Sequence, residues 1–239
     1  MGLVIEEGIN MKYVVHALSV LLALSVPVVV SAQSVGAAGN SVYIDQVGSS
    51  NTIRIEQIGA LNRVGSLSTP STTTGSSNVI TTTQTGDGNS IDYSITGSNN
   101  TITKAVTGNN NAITMLCGDG TTACTTVNSN TTIQGNTNTV DQTIKGANIN
   151  NTLSIQGDSN AVTQNIQTSL SVANISIIGD SNIFNNTMSG PSAGGGHVLT
   201  AVVTGSSNTH NITQQGTVDT TVVLNTTGSS NNVTVITGR

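Results

Sequence analysis

The stretch NSVYIDQVGSSNTIRIEQIGALN, running from Asn40 to Asn62, repeats itself after eleven residues. Asn40 is matched by Asn51, Val42 by Ile53, Ile44 by Ile55, Gln46 by Gln57 and Gly48 by Gly59. The apolar residues alternate with period two, the signature of a β-strand with one buried face. Asn and Gln, however, fall on the same alternate face as Val and Ile. Burying an amide costs about 1–3 kcal/mol for each polar group left without a partner. A fold for this sequence must therefore supply those partners inside.

The unit can be written N-x-h-x-h-x-(Q or h)-x-G-x-x, with h apolar, and it recurs along most of the chain. Asn78, Asn89, Asn100 and Asn111 continue it at eleven-residue steps, with Gln84 in place and glycines at Gly86, Gly97 and Gly108. Asn138, Asn160 and Asn182 follow two units apart, and roughly sixteen copies can be traced in all. Each copy reads as a strand of about seven residues followed by a turn, with Gly supplying the positive φ that the corner requires. Two copies make one coil of about 22 residues, strand, turn, strand, turn. If coils stack at about 4.8 Å, each inward Asn or Gln lies against a like amide one rung away, and an amide can both donate to and accept from its twin. The fold expected is all-β: a two-sheet, parallel-stacked β-solenoid occupying residues 33–239 as one domain. Loops are expected near residues 63–77, 117–130 and 186–196, where the frame is interrupted and then resumes.

Composition supports a regular but unusual interior. Of 239 residues, 7% are charged and 2% aromatic, with no Trp, which leaves no conventional aromatic core. A net charge of −5 and a mean hydropathy of +0.05 set the chain apart from highly charged disordered sequences. Six Lys and Arg residues form no basic patch, so no nucleic-acid partner is expected. Residues 1–32 read as an export signal with its effective start at Met11: Lys12 and His16 precede an apolar run over residues 17–30, and Val30-Ser31-Ala32 is a small-residue cleavage site. The run is too short, and too soon broken by Pro27, for a membrane span.

Cys117 and Cys124 flank a turn-rich segment, and an oxidising destination predicts a local disulfide between them. Lys104, His197 and His210 fall on the inward face, which suggests copies out of register or at a wet end of the stack. Asp158 and Asp180, 22 residues apart, are expected on one edge, but the glycine-rich nonapeptide of calcium-binding coils is missing, so no metal or other cofactor is expected. The acids are scattered rather than convergent, which argues against an enzyme. Outward Thr pairs such as Thr81 and Thr83, or Thr101 and Thr103, raise an ice-binding or adhesive surface as the alternative, although from sequence they do not recur in one column.

At residue level the Asn40–Asn62 stretch, and again Asn78 to Asn89 (NVITTTQTGDGN), resembles the curlin repeat of the subunits that build extracellular functional amyloid. Elsewhere the seventh-place Gln becomes Ile95, Val106 or Ile144, while Gln142 and Gln164 stand two places early. The resemblance implies a β-solenoid that self-assembles into fibres at the cell surface, for adhesion and biofilm matrix, with further copies of itself, a nucleating paralogue and an outer-membrane export pore as partners. Its self-assembly ladder would comprise Asn40, Val42, Ile44, Gln46, Asn51, Ile53, Ile55, Gln57, Asn78, Gln84 and Asn89. The repeats carry no recognisable cap, and low charge removes repulsion between stacked copies, so open edges at both ends are expected to favour a filament.

Overall fold

The period-two units fold as the pattern dictates. A computed structural model describes residues 29–35, 39–190 and 196–238, the first of these as backbone alone. The structure is all-β, with parallel strands stacked into a β-solenoid of about eight turns of roughly 23 residues. The first sheet has nine strands: Val29–Val35, Thr52–Ile58, Val79–Thr85, Thr101–Thr107, Asn128–Gln134, Asn150–Gln156, Val172–Ile178, Val198–Thr204 and Thr221–Thr227. The second runs through Ser90–Ser98, Ala112–Cys117, Thr139–Ile144, Ala161–Ile166, Ile183–Ser189 and Thr209–Gln215 to Asn232–Thr237. Shorter pieces, Ser41–Val42 with Ile44–Val47 and Arg63–Val64 with Ser71–Thr74, extend it towards the N-terminal end.

The inward columns form a narrow, mixed interior. Ile53, Ile80 and Ile102 stack in one column of the first sheet, and Val64, Ile91, Ile113, Val140, Val162 and Phe184 in one column of the second. Each fully buried Ile or Val contributes about 1.5–3 kcal/mol, and Tyr93 and Phe184 are the buried aromatic residues among those described. Of the export signal expected over residues 1–32, residues 1–28 lie outside the described residues. Its cleavage motif falls in Val29–Val35, whose backbone pairs with Thr52–Ile58.

Successive coils advance by 22 or 23 residues, as between Asn89 and Asn111 or Asn208 and Asn231, or by 26 or 27, as between Asn182 and Asn208 or Asn51 and Asn78. The excursions behind the longer steps are shorter than the sequence suggests. Within 63–77, Arg63–Val64 and Ser71–Thr74 pair in the second sheet, so the departure is confined to the segment between Val64 and Ser71. Within 117–130, Cys124–Thr125 and Asn128–Gln134 are back in register, and the excursion is the loop closed by the Cys117–Cys124 disulfide. Of 186–196, the strand Ile183–Ser189 still occupies the first residues, while residues 191–195 lie outside the described part. Pairing through repeated backbone hydrogen bonds wins over local turn chemistry wherever the frame can be resumed.

The corners are tighter than glycine alone explains. At Gly86 φ is +111°, and a Cβ would sit 2.1 Å from the carbonyl oxygen of Gly108 in the next coil. Only glycine permits that approach. Two residues after the corner glycines, the backbone is left-handed again, at Ser50, Ser77, Asn99 and Asn110 but also at Leu61 and Thr137. Amide-to-carbonyl bonds between coils, such as Ser77 to Ser49 and Thr137 to Asn109, hold these positions in place. Gly86→Ala is expected to lower stability by at least about 2 kcal/mol, and Thr137→Asn to raise it by about 1 kcal/mol, because Asn tolerates the left-handed region better than a β-branched residue. Denaturant unfolding of the two variants checks the opposite signs.

Candidate functional site

The Asn repeat delivers its side chains to two corners, and the two behave differently. At one corner Asn40, Asn62, Asn89, Asn111, Asn138, Asn160, Asn182, Asn208 and Asn231 succeed one another without a break. In a middle rung, the Asn111 Oδ1 accepts from both the backbone N–H and the Nδ2 of Asn138, at 2.9 and 3.0 Å. The Asn111 Nδ2 donates down to the Asn89 Oδ1 at 3.0 Å and up to the Gly135 carbonyl at 2.8 Å. Both donors and both acceptor sites of the amide are therefore used. Asp could accept but not donate, and a longer Gln would not hold the carbonyl and the twin amide at once.

At the other corner Asn51, Asn78 and Asn100 make the same relay, and Val127 ends it by donating its backbone N–H to the Asn100 Oδ1 at 2.9 Å. The expected glutamine ladder is shorter still. Gln57 donates to Gln84 at 2.8 Å, and the next rungs in that column are Val106 and Ile133. Gln46, expected in the same role, lies above Thr73 with neither its Nε2 nor its Oε1 partnered. Of the remaining expected ladder residues, Ile53 and Ile55 are fully buried, whereas Val42 and Ile44 at the end rung are half-buried.

A second polar column runs outside the first corner. Asp87 accepts from the Ala60 N–H, Asn109 from Asp87, Asn136 from Asn109, Asp158 from Asn136 and Asp180 from Asp158, all at 2.6–2.9 Å. Asp158 and Asp180 do share one edge, but their carboxylates serve the turn backbone of the preceding coil. Among the described residues no group of three or more His, Cys, Asp or Glu is placed to hold a metal ion. In the Cys-closed loop, the Lys145 ammonium 2.6 Å away and hydrogen bonds from Thr121 and Thr122 hold the Asp119 carboxyl well below the usual carboxylate range.

Lys104 is neither out of register nor wet. It is 1% exposed in the middle of the stack. Its Nζ donates to the Thr131 Oγ1 at 2.7 Å, to the Ser129 Oγ at 3.4 Å and to the Gln142 Oε1 across the interior. From Gln142 the bonds continue to Gln164 at 2.8 Å, to Asn151 at 3.1 Å and back to Ser129 at 3.4 Å, closing a ring between the two sheets. Of the two glutamines that stand early in the repeat, Gln142 is thus a partner of the buried lysine, and Gln164 is the next link of its ring. Among the described residues no carboxylate pairs with Lys104, and burial lowers its pKa from 10.5 to about 7. His197 and His210 are likewise in register: His197 Nδ1 accepts from the Thr220 backbone and hydroxyl, and His210 Nε2 meets the Thr226 hydroxyl at 3.0 Å.

No protein family matches the chain, and no curated protein or solved structure does so either.

Two expectations follow from the interior. Asn138→Leu leaves the Asn160 amide and N–H without their acceptor and should cost about 3 kcal/mol or more, whereas Asn231→Leu, at a rung that accepts from no further coil among the described residues, should cost under about 1 kcal/mol. Equilibrium unfolding compares them. For Lys104, the folded pKa near 7 lies below the unfolded value, so between about pH 7 and pH 10 the unfolded chain holds a proton that the folded chain lacks. Stability should therefore climb with pH across that window and flatten below it. Lys104→Met, which leaves the Thr131 hydroxyl to donate to Gln142, should remove the slope and raise the unfolding midpoint at pH 7.

Proposed function

We propose that the chain is a secreted, curli-like fibre subunit that adds copies end to end. The observation that carries this reading is the fit between its two ends. At the C-terminal end of the described solenoid, Asn231, Val233, Val235 and Thr237 form the last inward rung of the second sheet. At the N-terminal end, Asn40, Val42, Ile44 and Gln46 form the first. Laid one on the other, they put amide on amide, Val on Val, Val on Ile and Thr on Gln. The unpartnered buried atoms sit where they could meet, with the Thr237 Oγ1 on one end and the Gln46 amide on the other. In the first sheet Thr221–Thr227 would receive residues 33–35 of the next copy, the part of the Val29–Val35 strand that cleavage after Ala32 leaves. Such a contact joins unlike surfaces and does not close, so it propagates as a filament.

The remainder of the proposal rests on the resemblance to the curlin repeat. It comprises export through an outer-membrane pore, nucleation by a paralogue, and a place at the cell surface in adhesion and biofilm matrix; the absence of enzymatic activity rests instead on the scattered acids. The alternative, a monomeric adhesive or ice-binding solenoid, gains one observation, since Thr81, Thr103, Thr152 and Thr200 do fall in one outward column once the register is known.

Incubating residues 33–239 without denaturant, with thioflavin fluorescence and electron microscopy as readouts, should show filaments of cross-β type. The Val235→Lys chain, added at one-tenth of the total, should slow elongation at least fivefold by blocking one end. Protein that stays monomeric at high concentration, or growth unaffected by the charged end, would reject end-to-end addition.

A further inference from the structure

The two sheets present different outer faces. From Val79 to Thr227 every outward side chain of the first sheet is uncharged, in seven successive rungs of Thr, Asn, Ser, Gln, Ala, Val and Ile. One column reads Thr81, Thr103, Asn130, Thr152, Asn174, Thr200, and its neighbour reads Thr83, Ala105, Thr132, Ser154, Ser176, Val202. Among the described side chains the outward charges of the first sheet are Arg54 and Glu56, on the preceding strand Thr52–Ile58, whereas Asp45, Arg63, Asp92, Asp141 and Lys145 belong to the strands of the second sheet or adjoin them.

The excursions show the same division. One interrupts the second sheet between Val64 and Ser71. The Cys117–Cys124 loop and the segment after Gly190 both leave from the end of a second-sheet strand. The strands of the first sheet are unbroken and of equal length. Apolar side chains stand exposed on this face, at Val79 (42%), Ile178 (43%) and Val223 (74%).

We infer that the outer face of the first sheet packs against the same face of a second copy, joining two solenoids side by side. Seven rungs at about 4.8 Å, with four outward positions across, make a patch of about 30 by 20 Å, or roughly 600 Å² on each partner and 1,200 Å² in all. That exceeds the roughly 1,000 Å² a specific interface needs, and a filament would repeat it with every subunit. A flat ladder of small side chains is the surface that interdigitates with its like in a dry contact, and the contact is two-fold because each partner offers one patch. An ordered-water or crystalline-polysaccharide ligand would want one group repeated at one spacing. Here carboxamides interrupt the hydroxyl column at Asn130 and Asn174, and aliphatic residues fill neighbouring positions.

The inference does not depend on end-to-end growth, since a single chain already carries the whole face. The test compares the wild-type chain, Thr132→Lys with Thr152→Lys on the first sheet, and Thr163→Lys on the second. Sedimentation velocity reads freshly dissolved chain, microscopy reads filament width, and circular dichroism confirms that each variant is folded. Wild type and Thr163→Lys should pair, as dimers or as filaments two solenoids wide. The Thr132→Lys, Thr152→Lys chain should pair at least tenfold more weakly, or form filaments one solenoid wide that elongate at the wild-type rate. Wild-type protein that is monomeric and single-width at hundreds of micromolar, or pairing indifferent to the two lysines, would overturn the inference. Thermal hysteresis or polysaccharide binding abolished by the same two substitutions would also overturn it, by assigning the face to a different ligand.

Discussion

Everything in this fold depends on an asparagine amide that has a twin one coil above and one below. With two N–H donors and two acceptor sites, the amide spends one donor on the lower twin and one on a glycine carbonyl above, and receives two bonds from the upper twin. The buried polar group that would otherwise count against folding becomes neutral or better. The relay also has a direction. Every amide-to-amide bond in it points the same way along the axis, so the relay is polar from end to end, and its terminal amides are chemically different from each other.

The relay explains why the remaining interior can be so plain. With the corners fixed by hydrogen bonds and the glycine carbonyls drawn close, the sheets lie near enough for Val, Ile and Thr to fill the space between them. Where the second corner loses Asn after Asn100, apolar Val127 and Ile149 take its place, and the stack persists on one relay together with backbone pairing. His197 stands later in the same corner series and regains an acceptor for the following rung through its Nδ1. The N-terminal coils, with two relays, are the more uniformly polar; the C-terminal coils lean on burial.

Much of this was legible in the sequence because the repeat carries it. The period gives the coil, the alternation gives the inward face, and Gly86 or Gly108 marks a corner that no other residue could turn. What stayed hidden needed the register summed across excursions. The Lys104 ring contains a bond between residues 38 apart on opposite sheets, so Gln142 and Gln164 looked displaced when one bonds that lysine and the other continues the ring. The Thr column is masked in the same way, since Thr103 and Asn130 are separated by a longer step. Leu61 and Thr137 in left-handed backbone run against local preference altogether; the pairing of whole coils imposes that conformation. Gln46 matched its repeat perfectly and still lacks a mate, because the excursion after Val64 brings Thr73 rather than Gln into the next rung.

The placement of the excursions has a structural corollary. Because each leaves from the second sheet or from the corner that follows it, the solenoid has a smooth side and a side that bears appendages. In any array that preserves the axis, the segment between Val64 and Ser71 and the Cys-closed loop would recur as rows along one flank, at the pitch of a single molecule. Such a flank is free to vary in length and chemistry without disturbing a hydrogen bond of the relay, which makes it the natural address for whatever distinguishes one version of this scaffold from another.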